Sequence, residues 1–107
     1  MVKIIRVIGK LPGHPPFEVF IPNDLRALQT FVRGCIETLT ITSDMLVVAN
    51  REGARLGLPV NCSIAGHMLC GPVLLVGYKD DVFCDVPLPA EESPWSMWIK
   101  EVQHDQP

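Results

Sequence analysis

Apolar residues fall in short runs divided by glycine, proline and polar turns, and the period within each run predicts its conformation. Residues 2–8 are apolar and β-branched apart from Lys3 and Arg6, and they stop at Gly9 and the breaker-rich residues 11–16 (LPGHPP), which predicts a strand. In the following run Phe17, Val19 and Ile21 share one face, and the short connection favours an antiparallel return against the first strand. Asn23 and Asp24 then offer helix-capping oxygens. Leu25, Leu28, Phe31 and Val32 recur at helical spacing, Arg26, Gln29, Thr30 and Arg33 are left facing water or a partner, and Gly34 is the expected C-terminal cap.

Residues 35–41 are rich in Thr and Ile, and residues 45–49 are continuously apolar, so a second hairpin through Thr42, Ser43 and Asp44 is expected. A strand apolar on both faces is covered on both, here by helices or by another subunit. Residues 50–53 read as a turn and 54–61 as an irregular, glycine-punctuated segment. A short helical turn is expected over 63–69, a buried strand over 71–77, a turn over 78–81 and an edge strand over 82–86. Near the end, Ser93 and Pro94 suit a helix start, and Trp95, Trp98, Ile99 and Val102 follow at i, i+3, i+4 and i+7.

The pattern predicts an α+β fold: a small, mostly antiparallel sheet of about five or six strands, one main helix after strand two, and a C-terminal amphipathic helix. Residues 1–89 form the expected single domain. Residues 90–107 form a helix and tail docked on that domain or on a neighbouring subunit, with Trp95 and Trp98 as interface residues. The length of 107 residues fits one domain. No apolar run is long enough to span a membrane and no secretory signal is visible, so a soluble, cytoplasmic protein is expected. A net charge of −3 argues against extended nucleic-acid binding but leaves room for a small anion at a local basic patch. The apolar runs and the 48% apolar content favour a homo-oligomer.

Catalytic chemistry is thinly supplied. Cys35, Cys62, Cys70 and Cys84 include no C-x2-C pair; Cys35, Cys70 and Cys84 sit among apolar neighbours and read first as small hydrophobes, with His67, Cys70 and Cys62 a minor metal candidate. No P-loop, H-E-x-x-H or G-x-S-x-G motif occurs, so neither an enzyme nor a cofactor is expected. The strongest candidate site is the segment holding Asn50, Arg51, Glu52, Arg55 and Asn61. Its arginines can grip a phosphate, its asparagines can read a base or ribose edge, and Phe17, Phe31 or Tyr78 can stack on a ring.

The motifs NDLxxLQ at 23–29, GxIE at 34–37, NREG at 50–53, GLPxN at 57–61 and the glycine pair Gly71 and Gly77 together resemble the family catalogued as domain of unknown function 3846, over roughly residues 2–85. Residues 11–16 and the tryptophan segment lie outside that likeness. The resemblance implies small proteins of bacteria, bacteriophages and mobile elements, and thus a genetic context more than a chemistry. On that context, the expected function is sequestration of a nucleotide-derived signal of bacterial immunity. The alternatives are an inhibitor or adaptor binding a host protein through its surface or its Trp95/Trp98 face, and a nucleotide-cleaving enzyme in which His67 converges with Asp44 or Glu52.

Overall fold

The computed structural model describes residues 2–64 and 66–89, together with the backbone of residues 99–101. Strand β1 (Ile4–Lys10) and strand β2 (Phe17–Pro22) form the expected antiparallel hairpin, with Ile5 opposite Ile21 and Val7 opposite Val19. Helix α1 (Leu25–Val32) follows. The Asp24 carboxylate accepts the Ala27 N–H at 2.7 Å, satisfying one of the helix's first unpaired donors. Arg33, not Gly34, takes the left-handed position at the other end (φ 72°), and the N–H groups of both residues donate to the Gln29 carbonyl. The reason for Gly34 is space, since a Cβ there would stand 2.7 Å from Asn50 Nδ2.

The chain continues as β3 (Ile36–Thr42), β4 (Met45–Asn50), β5 (Val60–Ile64), β6 (His67–Cys70), β7 (Val73–Lys79), β8 (Val82–Cys84) and β9 (Ile99–Glu101). The main sheet has the order β2-β1-β7-β4-β3, with β8 also pairing with β7, and a second sheet has the order β6-β5-β9. Every pairing is antiparallel. The expected five or six strands thus describe the main sheet alone, and the α+β class with its helix after strand two stands.

Every residue of β4 is buried, and alternation sends its side chains to two different cores. Leu46 and Val48, with Ile5, Val7, Leu74 and Val76 of the neighbouring strands, pack under Leu28 and Val32 of α1. Met45, Val47 and Ala49, with Ile8, Val73 and Leu75, face Cys62, Ile64, Leu69 and Val86. The second cover is therefore the chain's own β5–β6 hairpin; no second subunit is needed to bury β4.

Two expectations change. Residues 63–69 are not a helical turn: Ser63 pairs with Met68 and Ile64 with His67 across a hairpin. The alternation of buried Cys62 and Ile64 with half-buried Ser63 has the two-residue period of a strand lying on a core. The expected C-terminal helix ran through Ile99, yet residues 99–101 are extended and pair with β5, whose edge offers backbone groups to a third strand. Trp95 and Trp98, and with them the interface assigned to that helix, lie outside the described residues. The turn expected over 78–81 narrows to Asp80 and Asp81, both left-handed (φ 54° and 65°), as a two-residue hairpin loop with right-handed strand twist requires.

Candidate functional site

The sequence groups Asn50, Arg51, Glu52, Arg55 and Asn61, but the fold gives them different tasks. Asn50 ends β4 directly beneath the C-terminus of α1 and is 5% exposed. Its Nδ2 donates to the carbonyls of Val32 and Arg33 at 3.0 and 3.1 Å, and its Oδ1 accepts the Glu52 N–H at 2.7 Å. The amide serves carbonyls that the helix end cannot pair internally, and it fixes the turn that follows.

Asn61 is fully buried in β5. Its Nδ2 donates to the carbonyls of Lys10 and Gly71 at 2.8 and 2.9 Å, while its Oδ1 accepts from Lys10 Nζ at 3.2 Å. Lys10, 3% exposed, also donates to the Leu11 carbonyl. This pair ties the end of β1 to the small sheet, and the lysine had no signal in the sequence beyond ending an apolar strand. Both asparagine amides are thus committed to internal hydrogen bonds.

Arg51, Glu52 and Arg55 lie on the surface turn after β4. Arg51 Nη2 donates to the Ile36 carbonyl on the outer edge of β3 at 3.3 Å, and Arg55 Nη2 holds Glu52 Oε1 at 2.6 Å. Side chains this exposed form a weak, salt-screened pair, so the two arginines remain exchangeable toward an anion.

A better-shaped site opens elsewhere, on residues earlier in the chain. An open groove of about 450 Å³ runs between the end of β2 and the flank of α1, lined by Ile21, Pro22, Asp24, Arg26, Ala27, Thr30 and Phe31. Arg26 and Thr30, one turn apart, stand on the helix flank, with Ala27 and Phe31 beside them. The Phe31 ring packs against Phe17, centroids 6.4 Å apart, over Gly9, where a Cβ would collide with both rings. Asp24 is spent on the helix cap, which leaves the Arg26 guanidinium as the charged group with no partner among the described residues. The helical pattern had already put Arg26 and Thr30 on the outward face; it could not show that β2 would build the opposing wall.

The remaining candidates do not assemble. Tyr78 lies away from the phenylalanine pair, against Phe83, and its hydroxyl donates to Asp81 Oδ1 at 3.2 Å. Partial burial, then that hydrogen bond and the Asp81 charge, hold its pKa above the usual tyrosine value. His67 is exposed on β6, Asp44 accepts from Thr42 Oγ1 at 2.6 Å, and Glu52 is engaged by Arg55. The four cysteines form no disulfide, and among the described residues no group of three His, Cys, Asp or Glu side chains is placed to hold a metal. Among the described residues no helix is long and apolar enough to cross a membrane.

Residues 5–93 match the family described as Domain of unknown function (DUF3846). The chain belongs to the DUF3846 family. The match takes in the proline-rich loop 11–16 and reaches Ser93, further than the motif spacing alone indicated. No curated protein and no solved structure matches the chain. In this DUF3846 protein the motifs that carry the likeness are largely architectural: Asp24 caps α1, Gly34 makes room for Asn50, and Asn61 locks Lys10.

Proposed function

We propose that this DUF3846 protein is a binding protein without chemistry that sequesters a nucleotide-derived immune signal and so blocks bacterial defence, with the β2–α1 groove as its ligand seat. The groove itself carries the reading. An apolar wall of Ile21, Ala27 and Phe31 suits the face of a base, and Arg26 at the rim suits a phosphate, with the Thr30 hydroxyl one turn along. The phage and mobile-element setting implied by the family resemblance supplies the biological role. Arg51 and Arg55, on the exposed turn after β4, form the rival anion site.

The test is a melting-temperature panel of cyclic di- and trinucleotides and ADP-ribose-type compounds, followed by heat release of the bound compound. A rise of several degrees with intact compound recovered supports sequestration. Arg26→Ala should abolish the shift and Arg51→Ala/Arg55→Ala should retain it; the reverse result moves the site to the turn. Absence of any shift overturns the reading. The second reading, a direct inhibitor of a host protein, is favoured by the exposed apolar side chains of Ile4, Phe20 and Leu25.

A further inference from the structure

We infer that β2 is a self-pairing edge: two copies of this chain join β2 to β2 in antiparallel fashion, and the joined sheets turn two open grooves into one cleft walled by two helices.

The backbone pattern sets the register. Asn23 N–H donates to the Lys3 carbonyl at 2.7 Å, so in the β1–β2 ladder the pairs Ile5–Ile21, Val7–Val19 and Gly9–Phe17 are the hydrogen-bonded ones. The N–H and C=O groups of Arg6 therefore point away from β2, as their bonds to Asp85 and Val86 confirm. By the same alternation the backbone groups of Glu18 and Phe20 point outward from β2, to an edge that no strand occupies among the described residues.

The other edge of the main sheet is defended. Arg51 covers the outward Ile36 carbonyl, and a register shift between Thr40 and Thr42 bends the end of β3. On β2 there is no bulge and no lysine, and the one charge, Glu18, is neutralised within the chain by Arg6 at 3.2 Å. Phe20, 60% exposed, stands beside it.

A second β2 fits this edge in charge and in pattern. With Val19 on the two-fold axis, Glu18 exchanges both backbone bonds with the partner's Phe20, and the reciprocal pair does the same. The next outward positions on either side are Pro16 and Pro22, so the ladder ends where no donor is available. On the helix face Ile21 meets the partner's Phe17, a β-branched and aromatic pair. On the other face each Glu18 lies opposite an aromatic ring, and no like charges are directly opposed.

The ladder completes the site. Helix α1 packs over the central strands, two strands in from the edge. Strands about 4.8 Å apart then place the two helix axes on the order of 24 Å apart. A helix diameter of about 10 Å leaves a cleft of roughly 14 Å, floored by Val19 and Ile21 of both copies and carrying one Arg26 on each wall. Resting on the proposed nucleotide reading, this two-fold cleft calls for a two-fold ligand with two phosphates, bound once per dimer.

Sedimentation of the ligand-free protein tests the pairing independently of any nucleotide. The wild type should run at twice 11.9 kDa. Phe20→Pro removes one outward N–H while sparing the β1 ladder and should give a folded monomer by circular dichroism, while Thr38→Pro on the opposite edge should remain a dimer. Should Phe20→Pro fail to fold, Val19→Cys in a Cys35→Ser background should oxidise to a covalent dimer, since a non-hydrogen-bonded pair sits about 4.5 Å apart at Cα. A monomeric wild type, a dimer that survives Phe20→Pro, or no cross-link overturns the pairing. With a cyclic dinucleotide as probe, titration should give one ligand per two chains. One ligand per chain overturns the shared cleft, whereas no binding in a confirmed dimer overturns the nucleotide reading alone.

Discussion

At the scale of single residues, the two buried asparagines decide more of the structure than the arginines beside them. Asn61 satisfies two backbone carbonyls and one ammonium in a place water does not reach, so Asn61→Leu removes a donor from both carbonyls and an acceptor from the ammonium. The expected loss is about 3 kcal/mol, read from urea unfolding, against no more than about 0.5 kcal/mol for Arg55→Ala, whose ion pair is exposed. The sequence shows that these amides are donors and acceptors but not who has already engaged them, which is why Asn50 and Asn61 read as ligand groups there. Tyr78 gives a second residue-scale test, because it is the chain's one tyrosine. Its titration, followed by phenolate absorbance, should have a midpoint above 10, and Asp81→Asn should lower it by removing the carboxylate that holds the proton. Since the folded protein binds that proton more tightly than the unfolded chain, the associated stability is present below pH 10 and is lost as pH rises through the folded midpoint.

At the scale of elements, legibility followed periodicity. The β1–β2 hairpin, α1, the β3–β4 hairpin and β7 are readable because each buries one face, or both, at a constant period, and each ends at residues with turn or cap chemistry. The β5–β6 hairpin is not, because its strands are too short for a two-residue period to be told from one helical turn, and its apolar face exists only against β4 and β7. The helix end was placed one residue late for a different reason. Gly34 looks like a cap, but the left-handed residue is Arg33, and Gly34 is kept small by the Asn50 amide. An arginine in that conformation carries a backbone cost that glycine does not. Arg33→Gly should therefore raise stability by about 0.5–1 kcal/mol. Gly34→Ala should lower it by displacing Asn50 from the helix carbonyls, and thermal melting of the pair distinguishes a cap from a contact.

At the scale of the molecule, the central strands are shared walls between two cores that do not touch. Ile5 packs in the core under α1 and Ile8 in the core under the small sheet, although both belong to β1. Neither the second core nor the β2–α1 groove was legible, since each depends on contacts distant in sequence: β5 and β6 close one, and the seating of α1 on β4 and β7, which offsets it from the sheet edge, opens the other. That offset also explains how a stable fold can keep an apolar groove. The helix needs the central strands β4 and β7 to bury Leu28 and Val32, and once seated there it reaches Ile21 and Phe17 of β2 but leaves a groove open along its flank. If the two cores are energetically separate, changes in them must add. Ile5→Val and Ile8→Val should each cost about 1 kcal/mol, and the double variant should equal their sum within about 0.5 kcal/mol. Pairing Ile5→Val with Val7→Ala, within one core, should depart from additivity. A coupling between Ile5 and Ile8 as large as that between Ile5 and Val7 would mean that the sheet transmits strain from one face to the other. The helix and its groove would then answer to changes in the β5–β6 hairpin.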